Sequence, residues 1–384
     1  MDDTTRYRRW LERYLNGGLD RRSFLAGLGA AGLAYGLAGG PMKLLAGAAQ
    51  AQGAQNHIRY DGFGGTVDKA VGEFALDPFS KKTGVRVERG SYGGMDEFLT
   101  KVKAASPGEY NVFLCTDQFN YKRFSDLGYA VQLDEAKIPN LKNCMPVTVD
   151  LYRNLSGGKL SAVPYVYSVS CYAYNTQQVE AAYVDKAGID LLIDPKFKGK
   201  IAGDYNWASR IWIAAQQSGQ DPNDIKDMDK ILDRLRKSKE VVLKYYSSGA
   251  EQMSLLANDE VWIADVWAGR VAILQRQGKP LKTVVPPGAR TYVGNMYVLK
   301  GSPMDAAHEL LNFMLEPDAA IAVSKALAYP TVLDPTRFKL PEEITSLAGF
   351  DPTGTLSTVK LEDATYWTKN ALDWQKQFQR VVTR

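Results

Sequence analysis

The sequence predicts an α/β protein whose central sheets are mostly parallel and carry helices on both faces. Strand-like and helix-like segments alternate along most of the chain, and the globular part begins in the order β-α-β-α-β. Residues 52–384, the part that follows the N-terminal segment described next, are also longer than one ordinary domain and suit two lobes of about 150 residues each. We therefore expect two α/β lobes with a crevice between them.

Residues 1–51 predict an export signal that is removed. Arg21 and Arg22 precede a weakly apolar run rich in glycine, and the small-residue sequence "AQA" that ends at Ala51 has the form of a signal-peptidase site. A permanent membrane anchor is the alternative, but a spanning helix needs about 20 strongly apolar residues. We expect a signal of the twin-arginine type, cleavage after Ala51, and a periplasmic mature chain of residues 52–384.

Removal of this segment changes the charge balance. Residues 1–51 contain seven Lys/Arg and four Asp/Glu, so they carry +3 of the formal net charge of +4. The mature chain is nearly neutral and lacks a long basic run, which argues against nucleic acid as a partner, because phosphate binding needs a concentrated basic face.

The cysteines and histidines are few. Cys115, Cys144 and Cys171 are too few for a disulfide framework, and three buried thiols or one disulfide with a free thiol are both open. The chain has two histidines, which argues against a histidine-rich metal site. We expect neither a metal nor another cofactor.

The first α/β series lies near the start of the mature chain. "HIRYDGFGG" predicts a strand that ends in a glycine turn, "VDKAVGEFALDPFSKKTG" a helix closed by Gly84, and "VRVERGSY" a second strand. "MDEFLTKVKAA" predicts a further helix and "YNVFLCT" a short buried strand. This order implies a parallel sheet.

A second α/β series begins after the aromatic segment "AVPYVYSVSCYAYN". "DPNDIKDMDKILDRLRK" predicts an amphipathic helix. Its apolar stripe consists of Ile225, Met228, Leu232 and Leu235. "EVWIADVW" predicts a buried strand that leads into the helix "AGRVAILQRQG".

Two helices follow near the C-terminus. "SPMDAAHELLNFML" predicts a helix with Ser302 as its cap and Pro303 at its first position. The last helix begins at about Glu362, and one face aligns several apolar residues. These are Trp367, Ala371, Trp374, Phe378 and Val381.

Six segments in order resemble extracellular solute-binding proteins of the spermidine/putrescine type. They are "DPFSKKTGVRVE", "VPYVYSVSCYAYN", "IDPKFKGKIAGD", "NDEVWIADVWAGR", "AAHELLNFMLEPDAAIAVSKALAYPT" and the aromatic last helix. The resemblance implies a two-lobed periplasmic-binding-protein fold that closes on a small ligand and works as a monomer with an inner-membrane ABC permease and its ATPase. It also implies a first lobe of residues 52–164 and 295–330, and a second lobe of residues 165–294 and 331–384.

Ligands of such folds bind in the crevice at the carboxyl ends of the strands. The resemblance, with its departures in this chain, implies a ligand-binding set of aromatic, polar and charged residues. The set is Phe63, Thr116, Asp117, Gln118, Tyr167, Trp207, Ser209, Arg210, Asp265, Trp267, Tyr292 and Asn295. Aromatic residues fill cores as often as ligand sites, and Asp117 alternatively caps the helix that follows it.

The charged members of the set indicate the ligand. Polyamine binders of this family hold ammonium groups with carboxylates, and this chain has Trp207, Ser209 and Arg210 after "AGDYN", where the resemblance expects two acidic residues. A guanidinium fork suits a ligand carboxylate, whereas the alternatives for Arg210 are solvent or a structural aspartate. Asp265 interrupts an apolar strand and needs compensation, from a ligand ammonium or from the helix that starts at Ala268.

We therefore expect a zwitterionic solute, such as an ω-amino acid, an opine-like compound or a betaine. Polyamine binding is one alternative, and ferric iron held by Tyr245 and Tyr246 is another, although adjacent strand residues point to opposite faces. A secreted hydrolase is the alternative of a different class, but the sequence has no nucleophile elbow, zinc helix or phosphate loop. Signalling to a chemoreceptor with the same binding fold is also open.

Overall fold

The computed structural model describes residues 56–383, so the predicted export signal and the cleavage after Ala51 lie outside the described residues. Ten strands are present in this part of the chain. They are β1 (His57–Gly62), β2 (Arg86–Ser91), β3 (Val112–Cys115), β4 (Ala162–Asn175), β5 (Ile201–Asp204), β6 (Val242–Tyr246), β7 (Ile263–Trp267), β8 (Leu281–Val284), β9 (Arg290–Val298) and β10 (Lys360–Leu361).

Fourteen α-helices accompany these strands within residues 56–383, together with short 3-10 turns and one π-helical turn (Gly72–Leu76). The helices are α1 (Gly65–Val71), α2 (Asp77–Thr83), α3 (Met95–Ala104), α4 (Gln118–Asp126), α5 (Pro146–Leu155), α6 (Ala181–Ala187), α7 (Trp207–Gln217), α8 (Met228–Val241), α9 (Gly249–Ala257), α10 (Ala268–Arg276), α11 (Met304–Met314), α12 (Pro317–Leu327), α13 (Glu342–Thr345) and α14 (Ala364–Thr383).

The first sheet has the strand order β2-β1-β3-β9-β4. The strands β2, β1 and β3 are parallel, whereas β9 is antiparallel both to β3 and to the first part of β4. The predicted β-α-β-α-β start is confirmed, and Gly84 ends α2 in the left-handed region at φ 78°, which glycine adopts without strain. The core of this sheet includes Leu327, Val332 and Leu356, and Tyr329 packs against it.

The second sheet has the order β4-β7-β5-β6, with β8 paired to β4. β4 and β7 are antiparallel, and β5 is parallel to both β6 and β7. β4 is 14 residues long and belongs to both sheets, with an irregularity between Pro164 and Tyr167 in its pairing with β9. The predicted α/β class is confirmed, while the exact lobe boundaries stay predictions.

The last helix connects the two halves. α14 packs against α7 and α8 beside the second sheet and against α4 beside the first. Trp212 of α7 and Trp367 of α14 stack with ring centroids 5.6 Å apart, and Phe119 of α4 lies in the same apolar cluster. The C-terminal residues therefore belong to the contact between the halves.

Two helix starts differ from the prediction. Ile225 lies before α8, which begins at Met228 because the Asp227 side chain accepts a hydrogen bond from the Lys230 amide. The predicted stripe is thus wrong at its first position. Ser302 does not cap α11: its hydroxyl donates to backbone carbonyls, and Pro303 occupies the cap position.

The three cysteines are free thiols in the interior. Burial raises the pKa of Cys144 and of Cys171 to about 12 and raises that of Cys115 further. This confirms the interpretation as three buried thiols. Between residues 56 and 383, no helix is both long enough and apolar enough to cross a membrane.

Candidate functional site

The segments that follow β3 and β5 meet at the boundary between the two sheets. Phe119, in the first turn of α4, packs edge-on against Trp207, the first residue of α7, with ring centroids 5.8 Å apart. Both helices start at the carboxyl end of a parallel strand. The carboxyl ends of β3 and β5 therefore face each other at the place where the crevice was predicted.

The predicted residues after β3 are mostly occupied within the protein. The Asp117 carboxylate accepts hydrogen bonds from the amide and side chain of Asn120 at 2.8 and 2.9 Å, and Thr116 Oγ1 accepts one from Asn120 Nδ2 at 3.1 Å. Gln118 Nε2 donates to the Thr291 carbonyl at 2.9 Å. The interpretation of Asp117 as a helix cap is confirmed, and a ligand contact of this loop stays a prediction.

An ionic cluster missed in the sequence lies beside Asp117. The Arg290 guanidinium contacts the Glu362 carboxylate, and its Nη2 lies 3.6 Å from Asp117 Oδ2. Burial raises the pKa of Glu362 to about 7, and the Arg290 charge opposes this rise. The Tyr292 ring centroid is 5.3 Å from the guanidinium carbon. The cluster thus holds two carboxylates for one guanidinium beside an aromatic ring.

Arg210 and Asp265 are both predicted site residues, and the structure pairs them with each other. Arg210 Nη1 donates to Asp265 Oδ2 at 2.9 Å, Nη2 donates to the Ser238 hydroxyl, and the two charged side chains are 2% and 4% exposed. The Asp204 amide donates to Asp265 Oδ1 at 2.7 Å. The expectation of a free guanidinium fork at Arg210 is wrong, because a structural aspartate occupies it, and Asp265 is balanced by Arg210 rather than by a helix N-terminus.

Other predicted residues lie in different surroundings. Tyr167 is in the core of the first sheet, where its hydroxyl accepts a hydrogen bond from the Asp351 amide at 2.9 Å. Asn295 is fully buried in β9, and its Nδ2 donates to Tyr152 Oη at 3.1 Å. The structure therefore places Tyr167 and Asn295 as internal residues.

Phe63 and Ser209 keep part of their surface accessible. The Phe63 ring is half-buried in the glycine turn after β1 and packs edge-on against Tyr92 at 4.9 Å between centroids. Ser209 is half-buried in the first turn of α7, and its amide donates to the Asn206 side chain.

Trp267 is half-buried at the end of β7 and is held from two sides. Its Nε1 donates to Asp204 Oδ2 at 3.0 Å, and its amide donates to Gln252 Oε1 at 3.2 Å. Burial raises the pKa of Asp204 to about 7, with the charge of Asp265 acting in the same direction. The ring thus has a fixed orientation beside the start of α10.

Arg270 in α10 is a charged residue that the sequence reasoning missed. It is 8% exposed, and its Nη1 is buried without a hydrogen-bond partner among residues 56–383. A Cβ atom at Gly249 would lie 2.5 Å from Arg270 Nε and 3.4 Å from the Trp267 ring. A Cβ atom at Gly269 would lie 3.0 Å from the Tyr329 ring. The guanidinium therefore lies where α9 and α10 meet the segment that follows α12.

Tyr329 lies beside the first turn of α10, and Tyr292 lies beside Arg290 of the ionic cluster. Burial raises the pKa of Tyr329, and the nearby Arg270 charge opposes this rise. Burial likewise raises the pKa of Tyr292, on which Tyr329 and Arg290 act in opposite directions. These mutual effects indicate that Tyr292 and Tyr329 neighbour each other along the boundary.

The tyrosine pair considered for iron does not converge on one point. Tyr246 Oη donates to the Asp265 carbonyl at 2.9 Å inside the second sheet, whereas the Tyr245 ring lies 5.7 Å from the Arg210 guanidinium carbon. Residues 56–383 contain no group of three or more side chains of His, Cys, Asp or Glu arranged for a metal ion.

A signal in the sequence was available for the missed residues. Arg270 and Arg290 interrupt apolar segments in the same way as Asp265, and Arg270 follows Trp267 by three residues in "WAGR". Glu362 precedes the last helix and gives no comparable signal in the sequence, since its burial depends on Arg290 in a distant strand.

Comparison with known proteins assigns a family. Residues 75–348 match the family model of the bacterial extracellular solute-binding proteins. The spermidine/putrescine-binding periplasmic protein 1 of Haemophilus influenzae is 27% identical over 275 residues, which cover 70% of this chain and 74% of that protein.

Solved structures share the fold. The spermidine/putrescine substrate-binding protein PotD from Streptococcus pneumoniae superposes with a TM-score of 0.70 at 20% identity, covering 85% of this chain and 99% of that chain. The GABA receptor Atu4243 superposes with a TM-score of 0.70 at 20% identity, covering 85% of this chain and 98% of that chain.

Proposed function

The chain belongs to the family of bacterial extracellular solute-binding proteins, and we propose that it captures a small amine-containing or zwitterionic organic solute for an ABC importer. The observation that carries this proposal is the charge pattern at the boundary between the sheets. Arg270 makes no ion pair among residues 56–383 and lies in the helix turn that packs against the Tyr329 ring, whereas Asp117 and Glu362 share the single guanidinium of Arg290 beside the Tyr292 ring.

The mode of action follows from this placement. Two halves joined by β4 and by the contact of α14 close on the solute, which stabilises the closed state. The two halves are the lobes of residues 52–164 with 295–330 and of residues 165–294 with 331–384. The partners are an inner-membrane permease and its ATPase, and the protein acts as a monomer in the periplasm after export through its twin-arginine signal.

The ionic cluster also supports polyamine binding as a second candidate. Asp117 and Glu362 share one guanidinium, so the cluster attracts an ammonium group, and the Tyr292 ring offers a face to it. A diamine uses this end of the boundary but leaves Arg270 without an opposite charge. We therefore place a zwitterion ahead of a polyamine.

Thermal unfolding of residues 52–384 with a panel of solutes tests the function. The panel contains putrescine, spermidine, ω-amino acids, α-amino acids, opines, betaines and ferric citrate. A ligand at 100 times its dissociation constant raises the free energy of unfolding by about 2.7 kcal/mol, which gives a clear shift of the midpoint. We expect shifts with amine-containing solutes and none with ferric citrate. No shift with any amine would contradict the proposal.

A further inference from the structure

We propose that Arg270 binds a carboxylate of the transported solute, and that the solute is an amino acid with its amine and carboxylate at opposite ends. This inference rests on the proposed function and adds the residue and the chemical group that select the ligand. It moves the predicted carboxylate contact from Arg210 in α7 to Arg270 in α10.

The first step is the imbalance of buried charge. Three arginines of residues 56–383 are almost fully buried, namely Arg210, Arg270 and Arg290. The first is paired with Asp265 and the third with Glu362. Within the part of the chain that the structure describes, Arg270 makes no ion pair, and its Nη1 has no acceptor. A buried charge without a partner is costly, so an anionic group from outside the chain is the missing partner.

The second step is the local geometry. The first turn of α10 has no side-chain cap, so its amide groups also lack a side-chain acceptor. An uncapped helix start beside a guanidinium attracts a negative group, because the helix dipole and the charge act together. Gly249 lets the Arg270 side chain lie against the start of α9, because a Cβ atom there would come within 2.5 Å of Arg270 Nε. The Trp267 ring lies beside Gly249, and the Tyr329 ring lies beside Gly269 in the first turn of α10.

The third step concerns the kind of anion. One guanidinium balances one negative charge, which fits a carboxylate, and its planar fork can donate two parallel hydrogen bonds to two oxygens. A phosphate dianion would leave a negative charge in excess at this place. Asp117 and Glu362 around Arg290 supply a group of carboxylates beside the Tyr292 ring. A solute with separated charges therefore meets an opposite charge at each end.

The test measures the binding of two matched ligands by calorimetry. 4-Aminobutyrate and 1,4-diaminobutane both carry a terminal amine on a four-carbon chain, but only the first has a carboxylate; 6-aminohexanoate covers a longer spacing. The proteins are residues 52–384 with the native sequence, Arg270→Gln, Arg270→Lys, and Arg276→Gln as a control. Arg276 is in the last turn of the same helix, where its guanidinium donates to the Lys325 carbonyl.

We expect the native protein to bind at least one ω-amino acid more tightly than the diamine. Arg270→Gln should weaken that binding about 100-fold, since one partner of a desolvated charge pair is lost. Arg270→Lys should show an intermediate loss, because the charge stays and the fork is absent. Arg276→Gln should bind like the native protein. Circular dichroism checks that each variant is folded, and the lysine variant provides the test if the glutamine variant is not.

The possible failures are distinguishable. If the native protein binds the diamine and no amino acid, or if Arg270→Gln binds the amino acid unchanged, this inference is overturned while the proposed function stands. If inorganic phosphate binds and depends on Arg270, the carboxylate assignment is overturned. If the native protein binds no amine of any kind, the proposed function fails as well.

Discussion

The second sheet contains the same four-residue pattern twice, with different outcomes. Trp207-Ala-Ser-Arg210 opens α7 after β5, and Trp267-Ala-Gly-Arg270 opens α10 after β7. Both arginines are in the first turn of a helix and more than nine-tenths buried. Arg210 forms an ion pair with an aspartate at 2.9 Å, whereas Arg270 forms no ion pair among residues 56–383.

The difference arises from the neighbouring strand and not from the local sequence. β5 lies beside β7, so Asp265 in β7 reaches Arg210 across the sheet. Gly249 and the Trp267 ring lie beside Arg270, and no carboxylate pairs with its guanidinium among residues 56–383. Two equal local patterns therefore give one internal ion pair and one unbalanced charge, and the unbalanced charge is the better indicator of a ligand.

The largest expected effect concerns the ion pair of Arg210 and Asp265. Asp265→Asn removes the counter-charge of Arg210 and should lower the free energy of unfolding by about 3 to 5 kcal/mol, since an unpaired buried charge remains. Urea unfolding measures the change. Asp233→Asn, in an exposed pair with Lys237, is the control and should change stability by less than about 0.5 kcal/mol. A loss below about 1 kcal/mol at Asp265 would show that Arg210 does not depend on this pair.

The second prediction concerns the cluster around Glu362, where two carboxylates share one guanidinium. Burial raises the pKa of Glu362 from 4.5 to about 7. A carboxyl whose pKa is raised on folding stabilises the protein below its unfolded pKa, and this contribution is lost as the pH rises through the folded pKa. We expect the stability difference between the native protein and Glu362→Gln to change by up to about 3 kcal/mol between pH 4.5 and 8.

The measurement is urea unfolding of both proteins at several pH values. Asp204 also has a pKa raised to about 7 by burial, but it titrates in both proteins and cancels in their difference. A difference that stays constant with pH would mean that the Glu362 carboxyl is not perturbed by burial, and that the Arg290 charge holds it ionised.

The sequence predicted the fold better than the site, and the physical reasons differ. The β-α-β-α-β start and the helices are visible because apolar periodicity and glycine stops are local properties, as at Gly84. The start of α11 was misplaced at Ser302, because its hydroxyl bonds to the Asn111 carbonyl, a partner 191 positions away. Contacts of that kind have no local signature.

The lack of a local signature for distant contacts also explains why the partners of the charged residues were not predicted. The position of Asp265 inside an apolar strand predicted that this carboxylate needs a partner. A structural aspartate was also one of the alternatives for Arg210. The sequence did not indicate that Arg210 and Asp265 are each other's partner. Their pairing depends on which strand lies beside β5. Arg270 was overlooked although it repeats the pattern of Arg210, because what distinguishes it is the lack of an ion pair within the described residues.

The third prediction concerns the unpaired Arg270, where we expect a substitution to raise the free energy of unfolding. Arg270→Met replaces an uncompensated buried charge by an apolar chain of similar length. It should raise the free energy of unfolding of the ligand-free protein by about 1 kcal/mol, because replacing buried charges by packed apolar groups is often stabilising. Urea unfolding without solute measures the change, and the native protein with bound solute should regain the difference. A clear loss of stability would place the Arg270 side chain in a structural role.

The smallest effect on stability is expected at Gly249, where the charge stays and only the space changes. In Gly249→Ala, the new Cβ atom would lie 2.5 Å from Arg270 Nε, and the flexible guanidinium must move. Alanine also favours the helix by up to about 1 kcal/mol, so the net change in stability should be near zero. Because the displaced guanidinium no longer faces the solute correctly, binding should weaken about 10-fold, as for a lost charge-assisted hydrogen bond.

Calorimetry on Gly249→Ala and on a control, Gly94→Ala, separates these effects. A Cβ atom at Gly94 would meet nothing within 4 Å, and this glycine is also at the start of a helix, α3. The control should therefore bind like the native protein. If both variants bind equally well, the space beside Arg270 is not used by the solute, and Arg270 is a buried charge that the protein tolerates without a ligand.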